Sequence, residues 1–225
     1  MKRSKRYKKS EKLVEDKIYT LKEAVETLTK MAECKFDETL EFACKLNVDS
    51  KQSDQMVRGA VVLPHGIGKE VKVLVFCEPE KEAQAREAGA DYVGAQDFVD
   101  KIEKEGWYDF DYCIATPSMM RVVSKLGRTL GPRGLMPSPK TGTVTDNVAF
   151  AVKEAKRGKV DYRMDKTGGV CVGLGKMSFT KDALLENAQA FVDSLLSVKP
   201  PSVKGELFKN YYLSRTMSPS LRVQL

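Results

Sequence analysis

Hydrophobic and polar residues follow one spacing near the ends of this chain and another in its middle. Phe36 to Val48 alternates with period two: Phe36, Leu40, Phe42, Cys44, Leu46 and Val48 share one face, interrupted only by Glu38. Asp37, Thr39, Glu41, Lys45 and Asn47 share the other face with Ala43. The pattern predicts a half-buried strand whose polar face is free to meet solvent or a ligand. Val57 to Leu63 reads as a second strand, stopped by Pro64. From Val71 to Cys77, and again from Tyr112 to Ala115, the runs are almost continuously apolar, as in parallel strands buried on both sides. Helical segments over Pro79–Ala88 and Ala95–Lys104 alternate with them. A third helix is expected from Thr116 as cap, with Pro117 in its first turn, to near Gly127, and a fourth from Asp146 to Gly158.

After Gly158 the two-residue rhythm returns. Val160–Met164 and Val170–Leu174 read as the strands of a hairpin around the turn Asp165–Gly169. Two helices carry explicit start signals. Thr20 to Glu23 is a capping box followed by Leu21, Ala24, Val25 and Leu28 on one face, and Thr180 caps a helix stapled by Phe179 and Leu184. Pro200 and Pro201 stop the latter, and Leu207–Ser214 and Leu221–Leu225 close the chain as strands. The fold class expected is α/β together with α+β. Periodicity alone shows only the change of texture, which two consecutive domains would also produce. Gly66 and Gly68 at one crossing and Gly158 at the other suit a two-strand hinge.

Charge sharpens this picture once it is divided. The net charge is +7, yet residues 1–12 hold seven Lys or Arg and one acid, leaving the remainder near neutral. Residues 112–145 carry five basic residues and no acid, and residues 194–225 five basic residues and one acid. A basic tail with basic patches suits a polyanion such as RNA, and equally a solubilising tail on an ordinary domain. No apolar run approaches the roughly 20 residues that span a bilayer, so no membrane partner is expected. The Lys-rich start lacks the apolar stretch of a secretory signal, and transit peptides favour Arg and Ser; a cytoplasmic location is expected. Five scattered cysteines without Cys-x-x-Cys spacing, and one histidine, predict free thiols and no metal site.

Catalytic chemistry finds little support. Gly175-Lys176 resembles the end of a phosphate loop, but Val170 and Met177 stand where that motif needs Gly and Ser or Thr. Neither the dinucleotide fingerprint nor a nucleophile elbow occurs, and His65, between Pro64 and Gly66, reads as a turn residue. No enzyme and no cofactor are expected; the alternative is a nucleotide-dependent α/β enzyme with a basic RNA-binding tail. The segment 127–144 packs four Gly, three Pro, two Arg and one Lys without an acid. It is expected to be an ordered, non-helical basic loop anchored by Leu130, Leu135, Met136 and Val144, with Arg133 and Lys140 as a possible second RNA contact.

The order of short blocks is more specific. Phe36-Asp-Glu-Thr39, Asn47-Val-Asp49, Asp54-Gln55, Val57-Arg-Gly59, Leu63-Pro-His-Gly66, Ala88-Gly-Ala-Asp91, Ile114-Ala-Thr-Pro117, the loop 127–144, Gly175-Lys176 and Ser214–Pro219 run across nearly the whole chain. In this it resembles the bacterial type of large-subunit ribosomal protein number one, the family of the mobile stalk beside the exit site. The resemblance implies a split α+β rRNA-binding domain, residues 1–67 plus 159–225, interrupted by a Rossmann-like three-layer α/β domain, residues 68–158. It implies a structural role at the stalk, assistance to exit-site tRNA movement and release, repression of its own mRNA, and a monomer off the ribosome. RNA-binding residues follow from the strand and from the family's segment near the C-terminus: Lys35, Phe36, Thr39, Glu41, Lys45, Lys166, Ser214, Thr216, Met217 and Ser218. Cations meet phosphates, while hydroxyls and carboxylates meet 2′-OH groups and base edges. Phe36 also fits the core, by its parity. Ser218 stands where the family usually has Gly, and Arg215 where a small residue is usual.

Overall fold

A computed structural model describes residues 3–49, 52–203 and 205–224. In chain order the elements begin with α1 (Lys5–Glu11), β1 (Tyr19–Thr20), α2 (Leu21–Lys30), β2 (Thr39–Leu46) and β3 (Arg58–Val62). Then come β4 (Val73–Phe76), α3 (Pro79–Glu87), β5 (Tyr92–Gly94), α4 (Gln96–Glu105), β6 (Tyr112–Ala115), α5 (Met120–Val123), α6 (Gly127–Leu130) and α7 (Val148–Lys156). Last are β7 (Lys159–Arg163), β8 (Gly169–Lys176), α8 (Lys181–Ser197), β9 (Phe208–Arg215) and β10 (Leu221–Gln224). Two compact units emerge: the chain up to Gly68 together with Val160 onward, and Lys69–Lys159 between them.

The split unit is α+β. Its five-stranded sheet has the order β1-β10-β9-β2-β8, with β2 antiparallel to both β8 and β9. The alternation of β2 does what its spacing predicts, burying Leu40, Phe42, Cys44 and Leu46 and leaving the intervening residues half-exposed. The buried face packs with Val25 and Leu28 of α2 and Leu184, Ala188, Phe191 and Leu195 of α8. Phe191 sits at the centre, edge-on to Phe42 and Tyr162 with ring centroids 5.5 Å apart in each pair. Both halves of the Thr20 capping box form, and Thr180 caps α8. The inserted unit is α/β. Its parallel sheet has the order β5-β4-β6 and a separate apolar cluster on each face. Val73 and Val75 join α3 and α7 on one side; Leu74 and Phe76 join α4, α5 and α6 on the other. That is why this stretch of sequence shows no alternation.

Several sequence expectations need correction. β2 begins at Thr39, and before it the parity reverses: Phe36 is 53% exposed and Glu38 only 1%. β7 and β8 are not a hairpin, because β7 pairs with β3 and β8 with β2 in different sheets. The third helix is broken into short turns from Met120, with the Thr116 hydroxyl bonded to Ser118. It continues through Gly127–Leu130, a stretch expected to be non-helical. Val123, Leu126 and Leu130 are all buried there, and that burial outweighs the roughly 1 kcal/mol helix cost of a glycine. α7 starts at Val148, capped by Asn147 rather than Asp146. The basic tail is partly a helix. Lys2 and Leu225, assigned to that tail and to the last strand, lie outside the described residues.

Candidate nucleic-acid interface

The half-exposed face of β2 carries Thr39, Glu41, Ala43 and Lys45 in a row. Glu41 lies opposite Ser214 on β9 and Gly173 on β8; Lys45 lies opposite Asn210 and Gly169. Opposite Glu41, Ala43 and Lys45 the β8 neighbours are small (Gly173, Cys171 and Gly169), so these β2 side chains are not walled in from that side, whereas Thr39 faces Lys176. Thr39 to Lys45 spans about 20 Å at strand spacing. At the Lys45 end its ammonium donates to the Thr167 carbonyl, and Lys166 is exposed in the same turn. The Asp165 carboxylate organises that turn by accepting the amides of Gly169 and Thr167 and the Thr167 hydroxyl, each at 2.7 Å. The Gly169 amide first, then the Thr167 hydroxyl, hold the Asp165 carboxyl below the usual carboxylate range.

The other end is built from the loop after β9. Thr216 N donates to the Thr39 carbonyl at 3.1 Å, and the Thr39 amide donates to Thr216 Oγ1 at 3.0 Å. A threonine hydroxyl thus extends the β2–β9 ladder by one rung, placing exposed Thr216 against the start of β2, which Lys35 and Phe36, also exposed, precede in sequence. Ser218 uses its hydroxyl inside the turn, accepting Arg215 N at 2.9 Å and lying 2.9 Å from the Pro219 carbonyl. Among the described residues no non-glycine residue has positive φ, so Ser218 occupies its place without backbone strain. Arg215 turns into the core. Its guanidinium donates to the Leu28 and Met31 carbonyls at the end of α2, at 3.0 and 3.2 Å, and pairs with Glu38, both being almost fully buried. Cations at a helix C-terminus are favourable, and a buried charge needs its partner. Glu38 then accepts the Met217 amide at 3.1 Å.

A β-bulge completes the site. The β2–β8 register shifts between Leu40 and Glu41, and Gly175, at φ 151°, sits where a Cβ would press on Phe179 and Leu184. Bulges re-aim the side chain that follows them. Here it is Lys176, whose ammonium donates to Thr39 Oγ1 at 3.0 Å. Asp37 accepts both the amide and the hydroxyl of Ser178, tying residues 36–38 to the end of β8. A cleft of about 360 Å³ opens between residues 33–38, Met177, Ser178 and Arg215. Burial, then Glu38, pushes the Cys34 thiol up, away from the thiolate a nucleophile needs. A larger cleft of about 670 Å³, by Thr20, Val192 and Tyr211, includes none of these residues.

Arg133 and Lys140 lie elsewhere, in the inserted unit. Arg133 is exposed and stacks on the Tyr108 ring at 3.8 Å; Lys140 is exposed in a single turn whose Thr141 and Thr143 are buried and bonded to Ser138. Gly66, Gly68 and Gly158 all have positive φ, which favours glycine at each. Sequence reasoning missed Lys176, Arg6 and the Glu38–Arg215 pair as parts of the site. The lone acid on the apolar face of β2 was the available signal, but its partner lies 177 positions away.

Residues 28–219 match the model of the Ribosomal protein L1p/L10e family. The "Large ribosomal subunit protein uL1" of Persephonella marina is 54% identical, with 100% of this chain and 94% of that protein aligned. The proteins of that name from Fervidobacterium nodosum and Thermosipho africanus are each 53% identical, over 100% and 99% of this chain and 96% of their own lengths.

Proposed function

The chain belongs to the Ribosomal protein L1p/L10e family, and we propose that it is a non-enzymatic, rRNA-binding component of the mobile stalk of the large ribosomal subunit. The observation that carries this reading is the rung between Thr39 and Thr216. It joins two segments far apart in sequence into one exposed surface of hydroxyls, cations and two exposed apolar side chains, Phe36 and Met217. Hydroxyls and carboxylates suit 2′-OH groups and base edges, Lys35 and Lys176 suit phosphates, and Phe36 offers a face for stacking. The split unit holds the rRNA. The inserted unit, carried on the glycines at 66, 68 and 158 as a hinge, moves near the exit-site tRNA and assists its release. The same surface binds the protein's own mRNA and represses its translation, and off the ribosome the cytoplasmic protein is a monomer; the family resemblance supports these parts.

Crosslinking the protein to total cellular RNA and sequencing the attached fragments tests the reading. Reads should concentrate in one segment of large-subunit rRNA and vanish from it when Phe36 and Met217 are replaced by Asp. Reads distributed by RNA abundance would contradict it.

A further inference from the structure

Arg6 is set apart from the other cations near the N-terminus. Lys5, Lys8 and Lys9 are exposed, and Arg3 pairs with Glu11 along α1. Ser4 caps that helix, and its four-residue spacing puts Arg6 on the same face as Ser10, which is buried. The Arg6 guanidinium donates to the Met217 carbonyl at 2.8 Å and to the Ala32 carbonyl at 3.3 Å, and stands 4.0 Å from Glu38. The Met217 peptide is therefore gripped on two sides: its amide by Glu38, which Arg215 holds in place, and its carbonyl by Arg6. Its side chain stays half-exposed. The flat fork of a guanidinium can reach two carbonyls together, where a lysine's compact ammonium is less suited.

We infer that Arg6 is a positioning residue for the recognition loop, so that the N-terminal helix sets RNA specificity through shape and not through charge alone. The inference rests on the reading that Thr216 and Met217 face RNA. Arg6 acts through the loop backbone, with Glu38 and Arg215 as the other half of the clamp.

The test compares Arg6→Lys, which keeps the charge, with Lys9→Ala, which removes a charge from the exposed side of the same helix. Without RNA, the amide resonances of Thr39, Thr216, Met217 and Ser218 should shift in Arg6→Lys and not in Lys9→Ala. With purified large-subunit rRNA and a scrambled duplex as probes, Arg6→Lys should lower the affinity ratio by about tenfold with an unchanged salt slope. Lys9→Ala should keep the ratio and flatten the slope by about one. Unmoved loop amides overturn the inference, and so do moved amides with an undiminished ratio. If the unaltered protein shows no preference between the probes, the RNA reading fails instead, and the amide shifts alone decide whether Arg6 positions the loop.

Discussion

In the inserted unit β4 buries all four of its residues, whereas in the split unit β2 buries every second one. The difference follows from how each sheet is covered. A parallel sheet needs crossover helices, and these close both faces, so the inserted unit has its exposed charges on helices and loops such as that of Arg133 and Lys140. An antiparallel sheet can be covered on one side only, and the other side of β2 keeps Thr39, Glu41 and Lys45 accessible, interrupted by Ala43, at fixed spacing. Rigid placement and accessibility therefore coincide in the split unit. In the inserted unit basic charge is plentiful, but the sheet behind it is covered on both faces.

The largest effect that would break this comparison is at the buried pair. Glu38→Ala leaves Arg215 uncompensated and should cost about 3–5 kcal/mol, seen as lost hydrogen-exchange protection in β2, β8 and β9 while β4 and β6 keep theirs. Replacing both partners, Glu38→Leu with Arg215→Met, should restore most of that stability. It removes the acceptor for the Met217 amide, so discrimination between rRNA and a scrambled duplex should stay low. Stability and recognition would then be separated in one pair of variants.

Thr216→Val comes next. It keeps the shape, but the Thr39 amide exchanges its partner for water at this exposed position, at about 0.5–1.5 kcal/mol. Urea titration should show a smaller loss than in Glu38→Ala, and the affinity for rRNA should fall while that for the duplex does not. Arg133→Ala with Lys140→Ala should be milder: each flattens the salt slope by up to about one without changing the ratio between the two RNAs. Smallest is the acid response of the turn at Asp165. Its carboxyl titrates below the unfolded value, so its contribution is fully present above the ordinary carboxylate pKa and disappears as pH falls through the depressed one. The Gly169 and Thr167 amide shifts should move together over that acidic window, and Asp165→Asn should abolish the movement.

Much of this comparison is legible before any coordinates. Alternation in β2, its absence in β4, the Thr20 capping box and the Phe179 staple position all report local geometry that neighbouring residues decide. What could not be read depends on distant partners. Glu38 looks like an interruption of an apolar face until Arg215 stands beside it, and Phe36 looks like core because the alternation of β2 does not extend before Thr39. Lys176 is aimed at Thr39 by a bulge whose register only the pairing with β2 defines. Nothing in the local sequence separates Arg6 from the other cations of the basic tail. The helical turn at Gly127–Leu130 defeats a propensity argument because three buried side chains outweigh it.

The central claim is that recognition belongs to the split unit. Replacing Lys69–Lys159 with a short Gly-rich linker, and confirming by circular dichroism and cooperative melting that the remainder folds, allows affinity for large-subunit rRNA to be compared directly with the full chain. The account predicts that most of the affinity is retained. A loss of more than about a hundredfold, roughly 2.7 kcal/mol, in the folded variant would contradict it.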